Sequence, residues 1–437
     1  MNAVMAQSPL TNSTPSRPMT TVAGYLLTRL AEAGLASVFG VPGDYNLPIL
    51  DAIAGRPELA WIGMATEQGA GYAADSYARL RGIGALVTTF GVGELSAINA
   101  IAGAYAESVP VVHIVGTPAL TARDDDVTLH HNLPGRDDDH VARMAAEITA
   151  AQADLRPATA PEEIDRVLSI ALRTSRPVYV TIPADVAGIP VLAPAQPLSR
   201  AAEDTDPGGH LAAGHRVTGQ LRDLAAAGNL PVAEPEPEVS GGRLTQRSLW
   251  AGMQAFLRPG DLLIADQGTA FYGAAGLTLP DGAQLVGQTL WASIGWTLPA
   301  ALGASLAVPD RRVVLIAGDG AMQQTAPELG TLLGQGLAPV IIVLSNRGYT
   351  IERAIGCPGA GYHEIPSWDW TALPAAIGAA TPAVALRAST PDELAWALTA
   401  AVDHAGVGRP VLIEVVLGAD DIPPLLRDLT RALAHAG

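Results

Sequence analysis

Hydrophobic residues along the first half of the chain fall in short runs that alternate with longer stretches of helical spacing. Runs of four to seven apolar residues predict strands, and the stretches between them predict helices. The strand candidates are Ala36–Val41, Ala85–Thr89, Val109–Val115 and Val178–Ile182. The helix candidates include Val22–Ala33, Glu67–Arg79 and Glu162–Arg173. Strands separated by helices indicate right-handed βαβ units and a mainly parallel sheet.

The second half of the chain repeats this alternation. Its strand candidates are Asp261–Asp266, Val313–Ala317, Val340–Leu344, Ala383–Leu386 and Val411–Val416. Its helix candidates include Gln246–Phe256, Gly295–Leu306, Pro327–Gly334 and Pro391–His404. The chain is therefore predicted to be an α/β protein with two domains, each a mainly parallel sheet flanked by helices. In such sheets ligands bind at the carboxyl ends of the strands, so motifs in the loops after strands matter most.

Residues 188–243 interrupt the alternation. This segment is rich in proline, glycine and acidic residues, and only His210–Ala227 has the spacing of a short amphipathic helix. It predicts a linker between domains at 19–187 and 244–437, with 1–18 as a disordered N-terminal tail. The alternative, a compact third domain of 56 residues, is disfavoured because a core of that size is only marginally stable.

Composition excludes several classes of function. Hydrophobic residues make up 49% and charged residues 16% of the chain, as in globular proteins. A net charge of −17 argues against nucleic acid or an anionic membrane as the partner. There is no lysine, which excludes a Schiff-base or P-loop lysine, so backbone N–H groups, a metal or Arg must hold any anionic cofactor.

The lone cysteine and the chain's first residues bear on location. Cys357 has no partner for an internal disulfide, which suits a reducing compartment. Residues 1–18 lack the apolar stretch of a signal peptide. No apolar run approaches the ~20 residues that cross a bilayer. A cytoplasmic protein is therefore expected.

The residues with the most specific chemistry follow two apolar strands. Asp319 lies in Gly-Asp-Gly directly after Val313–Ala317, and 25 residues separate Gly320 from Asn346, which follows the strand Val340–Leu344. Adjacent strand ends would place both side chains together, with the carbonyl of Gly348 as a third oxygen ligand. Oxygen ligands of this kind suit Mg²⁺ and leave positions open for diphosphate oxygens and water.

This pattern, with its surrounding text GDGAMQQTAPELGTLLGQGLAPVIIVLSNRGYTIE, resembles the thiamine-diphosphate-dependent 2-oxo acid decarboxylases, which include pyruvate, indolepyruvate and branched-chain 2-oxo acid decarboxylases. The resemblance covers nearly all of 20–187 and 244–437. It implies a pyrimidine-binding domain at 19–187 and a diphosphate- and Mg²⁺-binding domain at 244–437, with the linker in place of the family's middle domain. One departure is Ser345, where the fingerprint has the first of two Asn; the metal ligand is the second.

The resemblance also implies a catalytic set. Glu67 matches the residue that meets the pyrimidine nitrogen, although a Glu at a helix start is otherwise a capping or dipole interaction. Asp44 in GDYN and the pair His130-His131 match the proton-transfer groups. The adjacent histidines could instead be solvated loop residues or a metal pair. Glu352 completes the set as a carboxyl able to donate a proton beside a bound substrate carboxylate.

Further positions follow from the same resemblance. In LWASIGW, Ile294 matches the bulky residue that holds thiamine in its bent shape, and Ala292 matches the residue whose carbonyl accepts from the pyrimidine amine. Simple packing at a helix start explains Ile294 equally well. The remaining cofactor positions are Gly268, Thr269, Gly320 and Ala321. The predicted substrate pocket comprises Gln267, Phe271, Tyr272, Ile351 and Leu429, and the aromatic pair could instead belong to the core.

The expected activity is therefore non-oxidative decarboxylation of a 2-oxo acid, branched-chain or aromatic and indolepyruvate-like, to an aldehyde and CO₂ with thiamine diphosphate and Mg²⁺. In the family, the groups of the two halves come from different subunits, so a homodimer or homotetramer is expected. Because the middle domain is missing, two alternatives stay open. One is a decarboxylase or carboligase for an unusual, anionic 2-oxo acid, and the other is a non-catalytic thiamine-diphosphate-binding relic.

Overall fold

The first half of the molecule is built on a parallel sheet. The computed structural model describes residues 17–124, 129–133, 139–198, 242–357, 359–428 and 430. The strands of the first half are β1 (Met19–Thr21), β2 (Ser37–Gly40), β3 (Ala60–Gly63), β4 (Gly84–Thr89), β5 (Val111–Thr117), β6 (Ala151–Asp154), β7 (Val178–Pro183) and β8 (Pro190–Leu192). Six of them form a sheet in the order β3-β2-β4-β5-β7-β6, and every pair in it is parallel.

Helices cover both faces of this sheet. They are α1 (Val22–Glu32), α2 (Leu47–Ala54), α3 (Glu67–Arg81), α4 (Val92–Ala106), α5 (Leu120–Asp124), α6 (His140–Ala146) and α7 (Ala160–Thr174), with a 3₁₀ helix at Asp44–Asn46. The strands β4, β5 and β7 are buried along their whole length, which explains why their sequences are nearly continuous apolar runs.

The second half repeats the architecture. Its strands are β9 (Leu262–Ala265), β10 (Gln284–Val286), β11 (Val313–Gly318), β12 (Val340–Ser345), β13 (Val384–Ala388) and β14 (Val411–Val416). They form a parallel sheet in the order β10-β9-β11-β12-β14-β13. The helices are α8 (Gln246–Phe256), α9 (Thr269–Ala275), α10 (Thr297–Ala307), α11 (Asp319–Thr325), α12 (Glu328–Gly334), α13 (Thr350–Ile355), α14 (Leu373–Ile377) and α15 (Pro391–Gly406), with a 3₁₀ helix at Gly361–His363. The predicted fold class is confirmed.

The first half extends further than its predicted end at residue 187. The strand β8 lies within the segment predicted as linker, and it pairs antiparallel with β1. Residues 190–192 therefore belong to the first half. The predicted tail up to residue 16, the helical pattern His210–Ala227, the rest of the linker from 199 to 241, and Leu429 lie outside the described residues.

The two halves pack directly on each other through α3 and α10. Gly303 of α10 lies so close to α3 that an added Cβ would sit 2.1 Å from the carbonyl oxygen of Ala73. Beside this contact, Arg79 is buried with Asp75, and Asp75 Oδ1 also accepts a hydrogen bond from the indole N–H of Trp296 at 3.1 Å. One of the apolar clusters consequently contains residues of both halves.

Among the described residues, no helix has both the length and the apolar character needed to cross a membrane.

Candidate active site

The predicted metal ligands meet where β11 and β12 end. These strands are neighbours, and Gly318 pairs with Leu344 in their register. Asp319 begins α11, and its carboxylate accepts hydrogen bonds from four backbone N–H groups. The donors are Gly320 (2.9 Å), Gly348 (3.3 Å), Asn346 (3.1 Å) and Arg347 (2.7 Å). Burial raises the pKa of the Asp319 carboxyl, and these N–H groups oppose that rise.

The donor set at this corner fits a small hard cation. One terminal atom of the Asn346 amide lies 3.1 Å from Asp319 Oδ1 and 3.0 Å from the carbonyl oxygen of Gly348. With nitrogen at that position, the amide donates to both oxygens and its own oxygen accepts from Thr350 Oγ1. With oxygen at that position, three oxygens converge on one point, and only a cation between them would stabilise the arrangement. Three oxygens with space beside them suit Mg²⁺.

Arg353 holds the loop that carries Asn346 and Gly348. Its buried guanidinium donates to the carbonyls of Arg347 at 2.8 Å and of Asn346 at 3.4 Å. The loop needs this support because Arg347 has a φ of 63° and Gly348 a φ of 123°. A Cβ on Gly348 would lie 2.0 Å from the carbonyl oxygen of His363, so only glycine fits there.

Asp319, Asn346 and Gly348 together are called the metal corner below. A cavity of about 290 Å³ opens beside it. The predicted residues that line it are Gln267, Gly268, Thr269, Tyr272, Ala292, Ile294, Gly320, Ala321, Asn346, Gly348, Ile351 and Glu352. Phe271 does not follow the prediction of a pocket lining. Its side chain is buried in the core of the second half and packs against Gly287, because α9 turns it toward the sheet while Tyr272 faces the cavity. The alternative interpretation, in which the aromatic pair belongs to the core, therefore holds for Phe271 and not for Tyr272.

The loop that carries Ala292 and Ile294 is docked on the first half of the same chain. Glu107 Oε1 accepts from the backbone N–H groups of Leu290 and Trp291, at 2.5 and 3.0 Å. The hydroxyls of Tyr72 and Ser293 lie 2.6 Å apart. Ala292 has a φ of 58°, a strained conformation for a residue other than glycine, so this docking holds a backbone that would otherwise relax.

The predicted proton-transfer groups of the first half also meet. His130 Nε2 lies 2.7 Å from Asp44 Oδ2, and the Nδ1 atom of the same ring lies 3.2 Å from the Tyr45 hydroxyl. The ring of His131 is 4.4 Å from that of His130, centre to centre. One possible ligand atom from each of Asp44, His130 and His131 lies within 4.8 Å of the others. The metal-pair alternative is therefore geometrically open, but the direct contact of His130 with Asp44 is also what a proton relay needs.

Glu67 stands at the first position of α3, beside Gly93 of α4. A Cβ built on Gly93 would be 3.3 Å from Glu67 Oε1. The helix begins with Thr66 as its N-cap, whose Oγ1 accepts from the N–H of Gly69. Glu328 of the second half reaches across and accepts from the N–H and the hydroxyl of Thr66, at 3.0 and 3.1 Å. A single helix start thus combines the predicted catalytic Glu67 with a contact between the two halves.

The described residues that line this cavity do not include the predicted groups of the first half. All residues that line the cavity belong to the second half, whereas Asp44, Glu67, His130 and His131 belong to the first. The sequence interpretation also missed Asp266, Glu328 and Arg353. No motif marks these residues. Asp266 and Glu328 contact distant parts of the chain, and Arg353 holds backbone carbonyls of the loop that precedes its helix.

Comparison with known proteins gives the family. A model described as "Thiamine pyrophosphate enzyme, N-terminal TPP binding domain" matches residues 20–142. A model described as "Thiamine pyrophosphate enzyme, C-terminal TPP binding domain" matches residues 268–415. The chain belongs to the thiamine pyrophosphate enzyme family. The cofactor, also called thiamine diphosphate, is the one that the resemblance implied, and the second matched region contains the whole metal corner.

Several mycobacterial relatives of this thiamine pyrophosphate enzyme carry the name "Alpha-keto-acid decarboxylase". The protein from Mycobacterium tuberculosis (strain ATCC 25618 / H37Rv) is 41% identical, over 96% of this chain and 98% of its own length. Those from Mycolicibacterium paratuberculosis (strain ATCC BAA-968 / K-10) and Mycobacterium ulcerans (strain Agy99) are 40% and 39% identical, each over 97% of this chain and 98% of their own. The first match spans 552 aligned positions, 115 more than the 437 residues here, so the relative has residues within the matched span that this chain lacks.

Proposed function

We propose that this thiamine pyrophosphate enzyme removes CO₂ from a 2-oxo acid without oxidation and releases an aldehyde, with Mg²⁺ holding the cofactor's diphosphate. The observation that carries the proposal is the cavity beside Asp319, Asn346 and Gly348, with Glu352 in its wall. The names of the mycobacterial relatives support the same reaction.

Mg²⁺ would bind at the carboxylate of Asp319, the side-chain oxygen of Asn346 and the carbonyl of Gly348. The diphosphate would then lie at the start of α11, near Gly320 and Ala321, and beside Gly268 and Thr269 across the cavity. Backbone N–H groups and a metal are sufficient to hold this anion, which agrees with a chain that has no lysine. Ala292 and Ile294 would contact the rest of the cofactor from the opposite wall.

Thiamine diphosphate, when bound, supplies the electron sink that lets the carboxylate leave as CO₂. The bond from the 2-oxo carbon to the carboxyl carbon breaks, and the 2-oxo carbon must take up a proton before the aldehyde departs. Asp44, His130 and His131 would handle that proton, with His130 already in contact with Asp44. Glu352 would act from the cavity wall, and Glu67 would bind the pyrimidine nitrogen of the cofactor.

The substrate side of the cavity favours an apolar acid. Gln267, Tyr272 and Ile351 line it, and they present an aromatic ring and a branched aliphatic group to the ligand. A branched-chain or aromatic 2-oxo acid, such as an indolepyruvate-like one, would bury its side chain against these groups. Pyruvate has only a methyl group to bury and would gain less.

The complete site would form between two copies of the chain. Three exposed apolar residues lie next to the first-half groups: Leu47 near Asp44, Leu133 near His131, and Val92 beside Gly93, which contacts Glu67. Leu290, Trp291 and Ile355 are likewise exposed within three residues of Ala292 or Glu352. Exposed apolar side chains around both half-sites support a surface that a partner covers. A homodimer would bring Glu67, Asp44 and the histidines of one copy to the cavity of the other, and a homotetramer would pair two such dimers.

The two-domain organisation is part of this proposal. The matched family models leave residues 143–267 between them, a stretch that includes the whole predicted linker. We place the residues that the mycobacterial relatives have in excess in this stretch, as a middle domain that the linker replaces. The direct packing of α3 on α10 supports the proposal, because the halves need no third domain to stay together.

A panel of 2-oxo acids tests the proposal, with CO₂ release measured in the presence of thiamine diphosphate and Mg²⁺. We expect release from branched-chain and aromatic acids, with kcat/KM above that for pyruvate, and no release from the Glu352→Gln variant. Glu364→Gln, a change at an exposed Glu of the same half, is the matched control and should retain activity. A preference for a phosphonate- or sulfonate-bearing acid would favour the anionic-substrate alternative. Cofactor binding without release from any acid would favour the non-catalytic relic.

A further inference from the structure

Asp266 is a buried carboxylate between two chain segments that form walls of the cavity, residues 267–272 and residues 292–294. It follows β9 directly and is about 2% exposed. Its Oδ1 accepts from the N–H of Gln267 at 2.9 Å, and Gln267 begins the wall segment 267–272. Both of its oxygens accept from the N–H of Gly295, at 3.3 and 3.2 Å, and Gly295 follows the wall residue Ile294. One carboxylate therefore holds both wall segments.

The same carboxylate also fixes the start of α10. Its Oδ2 accepts from the hydroxyl of Thr297 at 2.5 Å and from the N–H of Thr297 at 3.3 Å. A carboxylate at a helix N-terminus is stabilised by the free N–H groups there and by the helix dipole. Burial raises the pKa of Asp266 to about 6, and these hydrogen bonds oppose that rise.

Gly295 is held from the opposite side by the helix that begins at Asp319. The Thr325 hydroxyl at the end of α11 donates to the carbonyl oxygen of Gly295 at 2.7 Å. Gly295 has a φ of 86°, and an added Cβ would lie 2.6 Å from Gln324 Cβ. The turn after Ile294 is thus tied on its N–H side to Asp266 and on its carbonyl side to α11, so Ile294 has a fixed position relative to the metal corner.

We propose that Asp266 is a positioning residue for the cofactor, which presets the separation of the two cavity walls by clamping Gly295 against α11. The inference rests on the proposed binding of thiamine diphosphate in this cavity. The clamp holds, from its other end, the segment in which Ala292 has a φ of 58°, an unfavourable conformation for a residue other than glycine. Such conformations persist where surrounding hydrogen bonds overdetermine them. Without the carboxylate, both walls would relax and the bent cofactor would lose its preformed site.

The dissociation constant of thiamine diphosphate, measured by calorimetry with Mg²⁺ present, tests the clamp independently of turnover. Asp266→Asn keeps the size of the side chain but loses one acceptor oxygen and the charge. We expect its dissociation constant to rise by about 10- to 100-fold, the range typical of supporting residues around a bound group. Asp261→Asn is the matched control. Asp261 is a buried Asp directly before β9, at the end of the strand opposite to Asp266, and it pairs with Arg312. Loss of this ion pair should lower the melting temperature and leave cofactor affinity within about twofold.

A second pair of variants keeps the test decisive if Asp266→Asn does not fold. Thr297→Val removes the hydroxyl that donates to Asp266 at nearly constant volume, whereas Thr297→Ser retains it. Affinity should fall in the Val variant and return in the Ser variant. Equal affinities in these two variants, or an Asp266→Asn protein with wild-type affinity, would overturn the clamp. Failure of the proposed decarboxylation would instead show as an absence of CO₂ from wild-type protein that still binds the cofactor.

Discussion

At the scale of single residues, backbone strain collects at the positions assigned to the site. Five described residues other than glycine have positive φ angles, and three of them are His131 (68°), Ala292 (58°) and Arg347 (63°). Each lies at or beside a predicted catalytic, cofactor or metal position. Strain of this kind costs of the order of 1–3 kcal/mol per residue and persists where function requires the geometry. Its distribution supports the assigned roles independently of sequence resemblance.

The metal corner gives the first prediction at this scale. Asp319→Ala should reduce the affinity for thiamine diphosphate by at least about 100-fold, because the diphosphate charge loses its Mg²⁺ clamp and no lysine can replace it. Calorimetric titration with Mg²⁺ measures the change. Asp310→Ala, at an exposed Asp in the turn before β11, should bind as the wild type does. Unchanged affinity in Asp319→Ala would show that the diphosphate lies elsewhere.

Asp266 gives a prediction about pH and stability. Its carboxyl has an ordinary pKa of 3.8 in the unfolded chain and a pKa of about 6 when folded, because burial disfavours the charged form. Between these values the folded protein binds the extra proton, so this group's contribution to stability falls as pH rises. The fall from pH 4.5 to pH 7 should be about 2 kcal/mol, since one unit of pKa corresponds to about 1.4 kcal/mol.

Asp266→Asn should lack that fall. The difference in unfolding free energy between wild type and variant, from denaturant titrations of cofactor-free protein at several pH values, isolates this carboxyl from the others. The unfolding free energy of the wild type should fall relative to that of the variant as pH rises from 4.5 to 7. A difference that stays constant from pH 4.5 to 7 would mean that Asp266 titrates normally in the folded protein.

At the scale of helices and strands, the sequence predicted the buried interior of each sheet and missed several edges. The strands β4, β7 and β11 were predicted to within a residue because both of their faces are buried and their sequences are continuous apolar runs. The edge strands β3 and β6 carry exposed and polar positions, and β10 has only three residues. Their pairing depends on a neighbour that the local pattern does not reveal.

The candidate site divides in the same way between local and distant signals. Asp319 and Asn346 were recognisable because each follows a strongly apolar strand at a fixed interval in the chain. Asp266 contacts residues about 30 positions away, and Glu328 contacts residues more than 260 positions away. A lone carboxylate in a sequence gives no sign of such partners. Only the folded structure shows that Asp266 holds segments of the second half and that Glu328 holds a segment of the first.

Glu328 leads to a prediction about how α3 is held. Its carboxylate accepts from the N–H groups of Ala65 and Thr66 and from the hydroxyls of Thr66 and Thr331, and the side chain is about 1% exposed. Removing this buried carboxylate would leave four donors, on Ala65, Thr66 and Thr331, without their acceptor and would leave a space where a buried side chain was. Glu328→Ala should therefore cost about 3 kcal/mol of unfolding free energy in denaturant titration.

Glu393 provides the matched comparison for Glu328. It also accepts several hydrogen bonds at a helix start, from Ser389 and Thr390 before α15, but in an exposed setting. Water can replace its carboxylate, so Glu393→Ala should lower the unfolding free energy much less than Glu328→Ala does. Equal losses in the two variants would show that Glu328 caps α3 no more strongly than a surface residue would.

At the scale of the whole molecule, the two half-sites are joined in each chain, but none of the first-half groups is among the described residues that line the second-half cavity. The loop with Ala292 and Ile294 is docked on Glu107 of the first half, and Glu328 of the second half caps the helix that presents Glu67. Each half therefore braces the functional element of the other. The side chains of Asp44 and His130 are nevertheless about half exposed, at 49% and 57%. In a symmetric dimer, each chain would use its internal packing to position groups that act in two different sites.

The shared-site arrangement predicts complementation between inactive variants. Glu67→Gln should inactivate the first-half contribution and Asp319→Ala the second-half contribution, so each homodimer should be inactive. A heterodimer of the two, isolated through a different affinity tag on each chain, would contain one site with both intact groups and one site with neither. Because a two-fold dimer has two equivalent sites, the heterodimer should recover about half of the wild-type rate of CO₂ release. A heterodimer of Glu67→Gln with the double variant has no intact site and should stay inactive. If Glu67 and Asp319 of the same chain formed each site, no heterodimer would recover, and an inactive tagged heterodimer of the expected mass in light scattering would rule out the shared site.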